Sequence, residues 1–137
     1  MNSSLVFPVT IYYEDTDITG LVYHPNYFKY FERARSNFFD AHALRRLQMD
    51  EGIGVAVYRA DIVFKRGASL GDRLEVHSRP SLNGDYRVTV EHSVFRVSDP
   101  QVLVEATVEL VCVANDKVVK IPPLIRNKVL TVAQAQA

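Results

Sequence analysis

YYEDTDITGLVYHPNYFKYFERAR, residues 12–35, is the stretch whose reading decides the fold. From Pro25 onward, Tyr27, Phe28, Phe31 and Ala34 recur at three- and four-residue spacing. The pattern continues through Phe38 and Ala41, with Lys29, Glu32, Arg33 and Asn37 between the apolar positions. That periodicity predicts one amphipathic helix ending near residues 44–49. Pro25 suits its first turn, where an N–H would have no intrahelical partner. Upstream, Val6 to Glu14 is rich in β-branched and aromatic residues and reads as a strand ending at the polar run Glu14-Asp15-Thr16-Asp17. Gly20 permits a turn that a larger residue would resist. The chain therefore passes from strand to helix through a loop holding two carboxylates and His24.

Beyond Gly52 and Gly54 the period changes from helical to strand-like. Strands are expected over Val55 to Phe64, Arg73 to Arg79, Tyr86 to Val97, Val102 to Ala114 and Lys117 to Ile121. Asn83-Gly84, Ser98-Asp99-Pro100 and Asn115-Asp116 are the turns between them. In the longest run Glu105, Thr107 and Glu109 share one face, while Val104, Ala106, Val108, Leu110 and Cys112 share the other. The tail after Pro122-Pro123 is weakly patterned, and its last ten or so residues read as frayed. Strand, long helix, then hairpin-linked strands describe a single α+β domain over residues 1–137: an antiparallel sheet wrapped round one long helix. One helix cannot cover both faces of such a sheet, so edge pairing of two chains is expected.

Composition narrows the function classes. At 137 residues, with 47% hydrophobic and 23% charged residues, the chain fits an ordinary globular domain. Sixteen basic and sixteen acidic side chains balance, which removes the field that nonspecific nucleic-acid binding uses. The start, MNSSLVFPVT, lacks a basic segment and its apolar run breaks at Pro8, so it does not read as a secretory signal. No apolar run has the length of a membrane span. The lone Cys112 fits a reducing cytoplasm and, by its register, a packing role.

Amide groups at a helix start carry partial positive charge, which stabilises a carboxylate, a phosphate or the oxyanion of a reacting carbonyl. A carboxylate nearby could deliver water to that carbonyl carbon or attack it, which is an acyl-transfer site in outline. Set against this, aspartates before helices commonly cap them, and a histidine before a proline is commonly a surface residue. Asp15, Asp17 and His24 could ligate an ion, but no second histidine cluster supports a metal, and none is expected. His92 shares a face with Val88, Val90 and Val94 and reads as a satisfied core or interface histidine.

The same residues 12–35 resemble the N-terminal signature of the 4-hydroxybenzoyl-CoA thioesterase family, in particular its YbgC-like acyl-CoA thioesterase branch. They follow the pattern D-x-D-x-x-G-x-V-Y-H-x-x-Y-x-x-x-F-E-x-A-R almost without a break. The resemblance implies a hotdog fold, a dimer formed edge to edge, and dimers paired into a homotetramer. It implies a cytoplasmic enzyme that hydrolyses an acyl-CoA thioester, with coenzyme A as part of the substrate and no cofactor. It also implies that Asp17 is the catalytic carboxylate, as nucleophile or as general base. His24 would bring its backbone N–H to the thioester carbonyl and its imidazole to the site, and Tyr13 falls where that branch has a further active-site tyrosine. Asp15 is assigned to shaping the turn.

Where aromatic-substrate members carry a hydroxyl side chain in the strand after the helix, this chain has Val55. Together with Ile53, Val57 and Tyr58 it forms an apolar wall that suits an aliphatic or aromatic acyl group alike. Lys65, Arg66 and Arg87 are the candidates for the coenzyme A phosphates. The D-x-D pattern and the lack of an H-F-P-x-x-P-x-x-P-G stretch argue against a dehydratase of the same fold. A non-catalytic protein that binds an acyl thioester or acyl carrier protein is the alternative from another class. It gives no use to a desolvated carboxylate beside a helix start.

Overall fold

The computed structural model describes residues 5–136 and the side chains of residues 5–133. The strands are β1 (Leu5–Thr10), β2 (Gly54–Phe64), β3 (Arg73–Asn83), β4 (Arg87–Arg96), β5 (Val102–Ala114) and β6 (Lys117–Val119). The helices are α1 (Asn26–Phe39), α2 (Ala41–Glu51) and α3 (Pro123–Gln136). All strand pairings are antiparallel, in the order β1-β3-β4-β5-β2, and β6 pairs with Cys112–Ala114 of β5, past Leu110 where the β4 ladder stops.

Alternation decides which face meets α1. Leu74 and Val76 on β3, Val88, Val90 and Val94 on β4, and Val104, Ala106, Val108, Leu110 and Cys112 on β5 are all buried. Against them α1 lays Tyr27, Tyr30, Phe31, Ala34, Phe38 and Phe39. Cys112 is part of this core, and burial pushes its thiol up to about 11, which suits packing and not nucleophilic attack.

Four expectations need correction. The single long helix is two, broken at Asp40, whose φ of 75° lies in the left-handed region. The Asp40 side chain accepts from His42 N–H at 3.0 Å and so caps α2. The apolar spacing runs on across this break, so periodicity alone does not reveal it. The first strand ends at Thr10, and Tyr13–Asp15 form a 3-10 turn closed by the Asp15 carboxylate on Tyr12 N–H. β3 continues through Pro80 to Asn83. Pro80 stands opposite Val90 of β4, inside the ladder that runs from Leu74 to Asn83. The tail is also not frayed as a whole. It forms α3, with Ile125 and Val129 one turn apart and buried among Phe38, Phe39, Val88 and Leu110. Of the stretch TVAQAQA, Ala137 and the side chains of 134–136 lie outside the described residues.

Candidate active site

The loop between β1 and α1 folds on itself. Asp17 N–H donates to Leu21 O at 2.9 Å, Gly20 N–H donates to Asp17 O at 3.0 Å, and Gly20 sits at φ 81°, which glycine adopts without strain. Its two aspartates have different tasks. Asp15 faces inward: its carboxylate accepts from Tyr30 O–H at 2.8 Å and from Tyr12 N–H at 2.7 Å, and its carbonyl accepts from the Asn26 side chain and Tyr23 N–H, each at 2.9 Å. It ties the loop to α1, as the turn-shaping role expects.

Asp17 faces outward. Its Oδ1 accepts from Thr19 N–H at 2.8 Å and from Thr19 Oγ at 2.5 Å. These bonds hold its carboxyl below the usual carboxylate range, helped by the charge of His24. The desolvated carboxylate expected from the sequence is thus, in the single chain, an exposed one kept ionised by hydrogen bonds. Thr19 is a candidate site residue that the motif reading missed. Its signal was present: an aspartate two residues before a threonine is the local turn in which the side chain bonds the backbone.

At the helix entrance, Tyr23 N–H donates to Asp15 O, Asn26 N–H to Tyr23 O, Tyr27 N–H to His24 O and Phe28 N–H to Pro25 O. Pro25 has no N–H. The His24 N–H is therefore the amide of this entrance without a hydrogen-bond partner among the described residues. The His24 ring is exposed and meets Tyr23 and Phe64 edge-on, with centroids at 5.3 and 5.8 Å. Phe64, the last residue of β2, also packs against Tyr27, so it joins that strand end to the start of α1.

The remaining predicted residues separate into groups. The Tyr13 side chain is 82% exposed and makes no hydrogen bond or ring contact among the described residues. Tyr58 and Arg87 meet each other, the guanidinium lying 4.2 Å from the ring centroid on the outer side of the sheet. A register shift between Val57 and Arg59 puts Tyr58 in a bulge, which sequence alternation could not show. Arg87 also pairs with Glu109 at 3.2 Å, and Lys65 with Glu105 at 2.5 Å. Arg66 is exposed and has no ion pair among the described residues.

Val55 faces inward and lines a cavity of about 560 Å³ between α1, α2 and the start of β2, together with Glu32, Arg35, Ser36, Phe39 and Val57. Asp17 and His24 do not line it; within one chain they sit at the Phe64 end of β2. His92 is buried, stacked flat on Phe31 at 4.6 Å, and bonded to Ser78 Oγ at 2.8 Å, as a satisfied core histidine should be.

The family model described as "Thioesterase-like superfamily" matches residues 12–129. An acyl-CoA thioester hydrolase YbgC of Escherichia coli is 34% identical over 116 residues, covering 82% of this chain and 85% of that protein. Among solved structures, a probable thioesterase from Bartonella henselae is 28% identical with a TM-score of 0.78, covering 88% of this chain and all of that one. A 1,4-dihydroxy-2-naphthoyl-CoA thioesterase from Synechocystis is 20% identical with a TM-score of 0.86, covering 93% and 96%. The curled sheet round α1 is the hotdog fold of these structures.

Proposed function

This chain belongs to the thioesterase-like superfamily, and from that premise we propose that it hydrolyses acyl-CoA thioesters, with the Asp17 carboxylate and the His24 N–H as its working pair. The observation that carries the reading is the His24 N–H at the entrance of α1, without a partner among the described residues, beside an aspartate held ionised. The thioester carbonyl oxygen would accept from that N–H, which stabilises the charge that develops as the carbonyl carbon is attacked. Asp17 either attacks the carbon itself, forming an anhydride that water then opens, or takes a proton from water as the water oxygen bonds to the carbon. Both routes release the coenzyme A thiolate and the free acid. The reading uses no cofactor, and it makes the cytoplasm, where coenzyme A thioesters occur, the expected place of action.

The site in this reading is completed by a second copy. β2 is an edge strand, and Val57, Val63 and Phe64 are each about half exposed along it. Antiparallel pairing of two β2 strands about a two-fold axis at Arg59, the middle of Gly54–Phe64, sets Gly54 of one copy opposite Phe64 of the other. Because Phe64 packs on His24, the His24 and Asp17 of one chain then approach the mouth of the other chain's cavity. That cavity would receive the acyl group, and Arg66, which has no ion pair among the described residues, is the candidate cation just past β2 for a coenzyme A phosphate.

The test is thiol release from acyl-CoAs of graded chain length and aromatic character, for wild type and Asp17→Asn, with oligomer size measured in parallel. Turnover that falls about 10²–10⁴-fold in the variant at unchanged size is the expected result. Turnover that is undiminished in Asp17→Asn refutes the mechanism, and a monomeric active protein refutes the shared site.

A further inference from the structure

The cavity beneath α1 has an unusual charge arrangement. Arg35 is 8% exposed, yet among the described residues no carboxylate lies within ion-pair distance of it. Its hydrogen-bond partner is His92, Nη1 to Nε2 at 3.3 Å. A guanidinium can only donate, so this nitrogen of His92 must present its lone pair, and the imidazole supplies no negative charge. A buried cation without a counter-ion is costly, and an apolar side chain would pack this helix face without that cost. Arg35 nevertheless lines the cavity, as does Arg45 from α2, which also lacks an ion pair among the described residues. Glu32, one turn before Arg35, is exposed on the same lining and acts on it through space without contact. The rest of the lining includes the apolar Phe39, Leu47, Val55, Val57 and Leu110.

A ligand suited to this space has an apolar body and an anionic end. We propose that the cavity receives acyl groups whose far end carries a carboxylate, recognised by Arg35 with Arg45 beside it, so that the preferred substrates are monothioesters of dicarboxylic acids. The inference rests on the hydrolase reading above and names its substrate class. A volume of about 560 Å³ accommodates a short dicarboxylic acyl chain. A carboxylate seated on Arg35 would supply the contact ion pair that Glu32, acting only through space, does not, in a bidentate geometry that a guanidinium favours.

Hexanoyl-CoA and adipoyl-CoA, alike in carbon number and differing by the terminal carboxylate, provide the comparison. Wild type is expected to turn over adipoyl-CoA with a kcat/KM at least about tenfold higher, the scale of a charge-assisted hydrogen bond. Arg35→Met should collapse that ratio through KM, Arg35→Lys should restore part of it, and Glu32→Gln should raise it. A purely structural role for Arg35 would instead lower both substrates together and leave the ratio intact, which overturns the inference. Equal or better use of hexanoyl-CoA by wild type also overturns it and leaves the hydrolase reading standing. If neither ester is hydrolysed, the hydrolase reading is decided by the graded acyl-CoA panel above. Calorimetric titration with free adipate and hexanoate then decides the anion site: adipate binding lost in Arg35→Met supports it, and no preference for adipate ends it.

Discussion

His92 permits a prediction whose size follows from its surroundings. The ring lies on the inner face of β4, flat against Phe31, with Arg35 Nη1 at Nε2 and Ser78 Oγ at Nδ1. Since Nε2 must accept from Arg35, the proton sits on Nδ1 and is donated to Ser78. A second proton would set an N–H against the guanidinium inside the core. Burial first, and the Arg35 charge second, push the imidazole down to about 3 from an ordinary value of 6.5. Between those two values the unfolded chain binds a proton that the folded chain refuses. The contribution of His92 to stability is therefore complete above 6.5 and is lost as pH falls below it. From pH 7 to pH 5 the loss is about 2 kcal/mol, from roughly 1.36 kcal/mol per unit below 6.5. Carboxylates titrate as well, so the quantity to follow is the difference between wild type and His92→Gln in urea unfolding, at fixed protein concentration, followed by circular dichroism. That difference should move by about 2 kcal/mol against wild type between the two pH values. Parallel loss of stability in both proteins would show that His92 protonates as readily folded as unfolded, and would refute the buried, neutral assignment.

Other outcomes follow from single contacts. Thr19→Val removes the hydroxyl bond to Asp17, so the acid limb of kcat/KM, expected below the ordinary carboxylate value of 3.8 in wild type, should move up in pH; an unmoved limb would detach Thr19 from the chemistry. Asp40→Ala loses the α2 cap and places a non-glycine side chain without that compensation at φ 75°, and should cost about 1–2 kcal/mol in denaturant unfolding. Ile125→Ala should cost about 2–5 kcal/mol if α3 is part of the core, whereas a change near zero would return the tail to the frayed state expected from its composition.

The motif of residues 12–35 contains the candidate site at the level of residue type, because a turn, a helix entrance and the carboxylate beside it are local features written in local sequence. The same holds for the strands, whose alternation is legible wherever one face is buried, and for the Asn115-Asp116 turn, where both residues take positive φ as that pairing favours. Asp40 shows the limit. An aspartate between two stretches of the same apolar phase gives no sign in the period, and the break appears only when α2 turns to pack on the sheet. The Tyr58 bulge, the continuation of β3 through Pro80 and the burial of α3 likewise depend on which strand or helix lies alongside.

By itself the sequence determined the class of fold, the residues at the entrance of α1 and the division between inner and outer faces of the sheet, since each depends on periods and turns a few residues long. Only the tertiary structure decided that the His24 N–H has no partner among the described residues, that Thr19 keeps Asp17 ionised, and that Tyr58 and Arg87 stack on each other. It also put Arg35 inside a cavity with a neutral histidine as its partner. These are properties of neighbours brought together from distant positions, and hydrogen-bond satisfaction, burial and charge exist only once those neighbours are in place.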